Sequence, residues 1–300
     1  MKGPKNIPAS VRQRLLNRSK TDTRPFGELL QYYAMERFLF RLSQSEHVDR
    51  FVLKGALLLR AWQLPEFRGT MDIDLLGRTR NEEINIINQI RDIILVEVEP
   101  DGIIFDPDSI RVERIVEDAD YEGLRVRFLG IIDSAKINMQ IDIGFGDVIH
   151  PSPERLDLPI MLDYPTPRLL CYSRESAIAE KFEAMVKLGV INSRMKDFYD
   201  IWLLCRQFDF EGIKLAEAIR LTFQTRRTLI PQKVYAFEQI FIDQKQIQWV
   251  AFRKRLQQNY VPESFKEVVS VVESFITPVI TSLLHEDPIS LFWPACGPWS

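Results

Sequence analysis

Cysteine and histidine are scarce in this chain of 300 residues. The three cysteines, Cys171, Cys205 and Cys296, are odd in number and far apart, and they form no CxxC pair. This pattern excludes a disulfide framework and a cysteine zinc site, and it indicates a reducing compartment. The three histidines form no cluster with the spacing of metal ligands. A mechanism centred on histidine is therefore not expected.

The chain also lacks a strong charge imbalance and long apolar segments. Its net charge of −3 does not suit a protein that coats nucleic acid without specificity. Three local basic patches, residues 12–24, 226–227 and 253–255, are nevertheless present, and each is either a solvated helix face or a candidate RNA contact. The opening MKGPKNIPAS has no apolar core of signal-peptide length, and no uninterrupted run of about 18 apolar residues follows. We therefore expect a cytoplasmic protein without a membrane partner.

What the sequence does contain is a pair of carboxylates in a strand-like segment, FRGTMDIDLLG (residues 67–77). Apolar residues alternate there with Thr70, Asp72 and Asp74, and a period of two predicts a β-strand. Asp72 and Asp74 would then point to the same side and repel each other. Two interpretations are open: a strand whose polar face meets solvent, or a site that holds a divalent metal ion.

The order of the predicted elements indicates an α/β (α+β) fold. Residues 1–50 are predicted as an N-terminal helical lead-in, which includes an amphipathic helix in FGELLQYYAMERFLFRLSQS. Residues 51–150 contain alternating and β-branched runs that predict a mixed sheet. Prolines mark residues 151–172 as a linker without regular structure. Residues 173–300 are predicted as a C-terminal helical domain, whose final LFWPACGPWS is either a docking tail or a loose terminus.

Capping residues predict where several helices begin and end. Asn81 is predicted to cap a helix that contains NEEINIINQIRDII. Ser173 is predicted to cap a helix that Gly189 ends. Asn192 or Ser193 is predicted to cap the helix that follows.

Two further features favour the metal interpretation of the carboxylate pair. Gly55 lies between a short predicted strand and a predicted helix, where backbone N–H groups can approach a phosphate. The alternative for Gly55 is an ordinary turn. Asp142 lies in another predicted strand, INMQIDIGFGD, and could complete a magnesium site of three carboxylates. The alternative for Asp142 is a solvent-exposed residue at the end of a strand.

Three segments together resemble the nucleotidyltransferase toxins of the abortive-infection AbiEii family. They are FVLKGALLLRAW…RGTMDIDLL, MQIDIGFGD and ESAIAEKFEAMVKLGVINSRMKDFYDIWLL. These toxins are the toxin halves of type IV toxin–antitoxin systems and belong to the DNA polymerase β-like nucleotidyltransferase superfamily. The resemblance runs from about residue 26 to about residue 230. It implies a nucleotidyltransferase mixed-sheet core followed by a helical domain.

The resemblance also implies a reaction, a cofactor and partners. The implied reaction moves a nucleotide from an NTP to the 3′ end of an RNA, with tRNA the leading acceptor, and releases pyrophosphate. The implied cofactor is Mg²⁺, or Mn²⁺ in its place, and a cognate antitoxin encoded nearby is the implied partner. The implied catalytic residues are Asp72, Asp74, Lys181 and Asp197, the metal ligands are Asp72, Asp74 and Asp142, and the nucleotide-binding residues are Lys54, Gly55, Ala56, Thr70, Arg194 and Lys196.

Several of these assignments have structural alternatives. Lys181 lies beside an apolar helix stripe, so it either covers apolar surface or meets the triphosphate. Arg194, Asp197 and Asp200 follow at three-residue steps and share one helix face, which suits an exposed ladder of ion pairs. Next to a carboxylate metal site, Arg194 and Lys196 would instead bind phosphate, and Asp197 would act as a base or orient another group. For the whole protein, the alternatives are nucleotide transfer to a protein side chain and a catalytically silent binding module with the same fold.

Overall fold

The computed structural model describes residues 6–22, 24–64, 69–116, 122–256 and 258–300. The chain divides into two compact units. The first consists of Met1–Gly146 and Glu154–Cys171, and the second consists of Asp147–Pro153 and Tyr172–Ser300. The four-part division expected from composition stays a prediction.

The first unit is built on a mixed sheet, as the alternating runs predicted. Its elements are α1 (Ile7–Thr21), α2 (Phe26–Gln44), β1 (Phe51–Lys54), α3 (Leu57–Ala61), β2 (Ile73–Gly77), α4 (Glu83–Ile94), β3 (Ile104–Val116), β4 (Glu122–Ile132), β5 (Ala135–Phe145), β6 (Glu154–Asp157) and β7 (Arg168–Cys171). The strands form a seven-stranded sheet in the order β3-β4-β5-β2-β1-β7-β6. The pairs β2–β5 and β1–β7 are parallel, and the other neighbours are antiparallel.

Helix α2 is the buried helix of the first unit and packs against β5, β7, α1 and α4. Residues 29–42 are all buried, so the prediction of an amphipathic helix with one exposed face is wrong. Its buried charges have partners: Arg41 forms two hydrogen bonds to Asp101, at 2.7 and 3.0 Å, and Arg37 pairs with Glu36 at 2.8 Å. Burial of a charge costs much less free energy when an opposite charge pairs with it than when the charge is isolated.

Two other local predictions are wrong. The segment 151–172 contributes β6 and β7 to the edge of the sheet, so it has regular structure. Its prolines lie outside both strands, where they remove no hydrogen bond from the ladder. Helix α4 has Glu82 at its cap position, without a side-chain hydrogen bond, so Asn81 is not the cap.

The second unit is helical, as predicted. Ser173 caps its first helix with its side chain, and Gly189 ends that helix, also as predicted. The next helix has Arg194 at its cap position, so the prediction of Asn192 or Ser193 as its cap is wrong. The elements are α5 (Arg174–Leu188), α6 (Met195–Gln207), β8 (Phe210–Glu211), α7 (Gly212–Thr225), α8 (Gln239–Leu256), α9 (Phe265–His285) and β9 (Phe292–Trp293). Short 3₁₀ turns at Val48–Arg50 in the first unit, and at Gly189–Ile191 and Tyr235–Phe237 in the second, complete the regular structure of the described residues.

Helix α9 packs against α6, α7 and α8 in the core of the second unit. Among the described residues it is the one helix that is long and apolar enough to cross a membrane, and 39% of its most apolar window is buried. A core helix of a water-soluble protein meets the same criterion, so length and composition alone are weak evidence for a membrane span.

Residues 292–300 dock onto the second unit, which answers the question left open by LFWPACGPWS. Strand β9 pairs with β8. Trp293 is buried, and its Nε1 donates a hydrogen bond of 2.6 Å to the carbonyl oxygen of Cys205. The ring of Phe275 stacks on Trp299 at 5.5 Å and meets Trp293 edge-on at 4.9 Å. Aromatic contacts of this kind fix the segment in place.

Candidate active site

Four charged residues of the first unit form a row across adjacent strands. Lys54 of β1 lies opposite Asp74 of β2, which in turn lies opposite Asp142 of β5. On its other side, Asp142 lies opposite Arg125 of β4. Residues opposite each other in a sheet project from the same face. One level of the sheet therefore carries a cation, two carboxylates and a second cation, in that order.

Asp72, Asp74 and Asp142 lie close together at this level of the sheet. One carboxylate oxygen of each residue lies within 4.8 Å of those of the other two. Asp72 directly precedes β2, and the hydroxyl of Thr70 donates a hydrogen bond to its Oδ1. Asp72 and Asp74 are half-buried, whereas Asp142 is buried. A set of three carboxylates is the chemistry that Mg²⁺ and Mn²⁺ prefer, so these residues fit a divalent cation.

Asp142 has a partner that the sequence did not identify. Arg125 Nε donates to Asp142 Oδ1 at 2.8 Å, and its Nη2 donates to Oδ2 at 2.7 Å. Hydrogen bonding to this carboxylate raises the pKa of the Arg125 guanidinium. Gln140 Nε2 also approaches Asp142 Oδ2, at 3.4 Å. The alternation in LRVRF predicted the strand, but the partner of each residue depends on a register that one strand does not specify.

Position 55 requires glycine because the carboxylate of Asp74 lies against its Cα. Its φ of +74° lies in the left-handed region, and a Cβ at this position would lie 1.9 Å from Asp74 Oδ2. The following helix α3 has five residues, so the N-terminal dipole of a long helix is not present here. Lys54 is half-buried and Ala56 is buried. The nucleotide-binding role of these residues stays a prediction.

In the second unit, a cluster of ion pairs surrounds Lys181 of α5. Lys181 Nζ lies 2.6 Å from Asp200 Oδ2 and 3.3 Å from Asp197 Oδ1, and both carboxylates of α6 are 1% exposed. Arg194 Nε lies 2.7 Å from Asp197 Oδ2, in an ion pair without hydrogen-bond geometry. Lys181 is thus fixed by charge and does not merely cover apolar surface. Lys196 is exposed.

The cluster adds Asp200 to the residues suggested by sequence. The three-residue steps correctly grouped Arg194, Asp197 and Asp200 on one face, but they did not show that the two aspartates are buried while Arg194 is exposed. An exposed ladder of ion pairs is therefore excluded for the two aspartates. The pattern alone could not distinguish the cases, because burial depends on the neighbouring helix.

Arg226 lies inside the second unit and not on a basic surface patch. Its guanidinium lies 3.0 Å from Asp147 and from Glu183 and 3.5 Å from Glu180. Burial alone lowers the pKa of Arg226, but the surrounding carboxylates raise it, and the net change is an increase. The assignment of Arg226 to an RNA-binding patch is wrong, since its charge is neutralised within the protein.

A mixed sheet with three carboxylates gathered on adjacent strands fits an enzyme that transfers phosphate-containing groups with a divalent metal. The model of the family described as nucleotidyl transferase AbiEii toxin, type IV toxin–antitoxin system, matches residues 37–271, and the chain belongs to this family. The chain is thus a nucleotidyltransferase and the toxin of a type IV system, as the resemblance implied. Membership implies a nucleotide substrate and an antitoxin partner.

Two solved structures from Helicobacter pylori are similar to most of this chain. The first is titled as a proposed nucleotidyltransferase; it is 15% identical, has a TM-score of 0.49, and the match covers 85% of this chain and 96% of that one. The second is JHP933, which is 15% identical with a TM-score of 0.48, covering 86% of this chain and 95% of that one. No curated protein matches the chain.

Proposed function

We propose that this protein transfers a nucleotide from an NTP to the 3′ end of an RNA, with tRNA the favoured acceptor. The observation that carries the proposal is the group Asp72, Asp74 and Asp142 in a chain of the AbiEii family: one carboxylate oxygen of each lies within 4.8 Å of those of the other two. Carboxylates this close repel one another, and a divalent cation relieves that repulsion. Mg²⁺ is the proposed ion, and Mn²⁺ is its substitute.

The residues around the carboxylates suit a nucleoside triphosphate. When bound, the cation neutralises phosphate charge and makes the attacking hydroxyl a better nucleophile. Thr70 orients the first carboxylate through its hydroxyl. Gly55 leaves room for Asp74, and the backbone of this turn is the proposed contact for a phosphate, flanked by Lys54 and Ala56.

Lys181 is the proposed triphosphate-binding cation of the second unit, with Arg194 and Lys196 as further phosphate ligands. Its ion pairs with Asp197 and Asp200 restrict its rotamers, and a restricted cation stabilises developing charge more effectively than a mobile one. Asp197 is 1% exposed and engaged with two cations. It therefore suits the role of orienting Lys181 better than that of a general base, which must reach the acceptor hydroxyl.

The decisive experiment incubates the purified protein with total RNA, Mg²⁺ and each labelled NTP in turn. Label should enter RNA at its 3′ end, and Asp72→Asn and Asp74→Asn should abolish the incorporation while both variants stay folded. Asp157→Asn is the matched control, because Asp157 is an exposed carboxylate of β6 in the same unit. Full incorporation by either cluster variant would contradict the metal assignment.

The alternatives give different results in the same reaction. Label that survives RNase and migrates with protein would indicate nucleotide transfer to a protein side chain. Absence of transfer from all NTPs, with NTP binding retained, would indicate a catalytically silent binding module. A gene for a small helix-turn-helix antitoxin directly upstream would support a cytoplasmic toxin that acts in abortive infection and phage defence.

A further inference from the structure

The row across the sheet contains a contact that metal binding alone does not require. Arg125 donates hydrogen bonds to both oxygens of Asp142, at 2.8 and 2.7 Å, in the bidentate geometry of an arginine–carboxylate pair. The Arg125 side chain is 29% exposed and that of Asp142 is 11% exposed, so solvent screens the pair only in part. Asp142 therefore carries its charge already compensated.

This pairing affects the cluster in two ways. The two hydrogen bonds fix the plane of the Asp142 carboxylate beside Asp74, which lies opposite Asp142 on the neighbouring strand. It also places a positive charge beside the oxygens that would face a cation. Repulsion between a single and a double positive charge about 6 Å apart in water corresponds to about a tenfold loss of affinity. The effect is larger where water is excluded.

We propose that Arg125 is a positioning residue that orients Asp142 and keeps the affinity of the three carboxylates for a free divalent cation low, so that the cation binds productively together with the nucleoside triphosphate. The inference rests on the proposed function of the cluster. A bound triphosphate adds negative charge that offsets the positive charge of Arg125. The site then attracts the cation again.

The test measures binding of Mn²⁺ alone to the full chain, from the electron paramagnetic resonance signal of free Mn²⁺. Arg125→Gln should bind Mn²⁺ about tenfold more tightly than the wild type, because the repelling charge is gone. Arg125→Lys keeps the charge and should bind Mn²⁺ as the wild type does. Arg127→Gln is the matched control: Arg127 lies two residues along the same strand and pairs with Glu113, so its loss should change the affinity less.

Turnover at saturating Mn²⁺ and NTP tests the orienting role. Both Arg125→Gln and Arg125→Lys should lower kcat about tenfold or more, since neither side chain can grip both oxygens of Asp142. Should Arg125→Gln fail to fold, Arg125→Lys decides through kcat, and wild-type turnover in that variant overturns the inference. Equal or weaker Mn²⁺ binding by a folded Arg125→Gln overturns it as well.

The binding data also separate this inference from the proposed function. If Asp72→Asn and Asp74→Asn bind Mn²⁺ as tightly as the wild type does, the carboxylates are not the metal site and the proposed function fails. If those variants lose Mn²⁺ while Arg125→Gln behaves like the wild type, the metal site stands and the role of Arg125 is wrong.

Discussion

Replacement of Arg226 by alanine should destabilise the second unit far more than replacement of its neighbour Arg227. The Arg226 guanidinium is shared by Asp147, Glu180 and Glu183. The side chains of Asp147 and Glu183 are 3% and 1% exposed. Without the arginine, three carboxylates remain together with little access to water.

The expected loss follows from this burial. Removal of one partner from a buried ion pair typically costs about 3–5 kcal/mol, because the remaining charge stays buried without compensation. Since three carboxylates share Arg226, we expect a loss of about 4–5 kcal/mol. Arg227 is exposed, so Arg227→Ala should change the free energy of unfolding by about 0.5 kcal/mol or less. The difference corresponds to about 10 °C or more in Tm.

Urea unfolding followed by tryptophan fluorescence is the suitable assay. Most of the signal comes from the second unit, which contains Trp202, Trp249, Trp293 and Trp299. Adding Glu183→Gln to Arg226→Ala should recover part of the stability, because it removes one uncompensated charge. A loss below about 1 kcal/mol for Arg226→Ala, together with a raised KM for RNA, would refute the reasoning and return Arg226 to the RNA-binding surface.

Three other predictions concern single sites. Gly55→Ala should abolish transfer and Mn²⁺ binding, because its Cβ would displace the carboxylate of Asp74, whereas Gly27→Ala, with open space around the added Cβ, should leave both unchanged. Lys181→Ala should lower the free energy of unfolding by about 3 kcal/mol in urea titrations, and Lys181→Arg should recover it; wild-type turnover in a folded alanine variant would disprove a catalytic role. In thiol titration at pH 8, Cys296 alone should react in the folded protein, because it is exposed and burial raises the pKa of both other thiols to about 12; more than one rapid thiol would contradict the burial.

Much of the candidate site follows from short-range pattern. The period of two that put Asp72 and Asp74 on one side of a strand also fixed which face of β2 is polar. A similar alternation placed Asp142 in β5, and the parallel pairing of these two strands brings Asp142 level with Asp74. The helix caps at Ser173 and Gly189 are likewise local signals, since each satisfies backbone groups within a few residues.

Three features that the sequence did not predict depend on partners in other segments of the chain. Arg226 and Asp147 are 79 residues apart, so an isolated arginine pair looked like a surface patch. Arg125 meets Asp142 only through the register of two long strands. The helical spacing of apolar residues in α2 predicts an amphipathic helix, but its charged residues are buried because their compensating partners, such as Asp101, lie in other segments. In each case the sequence specifies the charge, and the fold specifies its neighbour.

The docked segment 292–300 has a consequence for the dynamics of helix α6. The carbonyl oxygen of Cys205 near the end of α6 accepts hydrogen bonds from Trp293 Nε1 at 2.6 Å and from the backbone N–H of Cys296 at 3.2 Å. Near its beginning, Asp197 and Asp200 are tied to Lys181. Because both ends are held, fraying is suppressed, and the amides of α6 should exchange with deuterium only when the whole second unit opens.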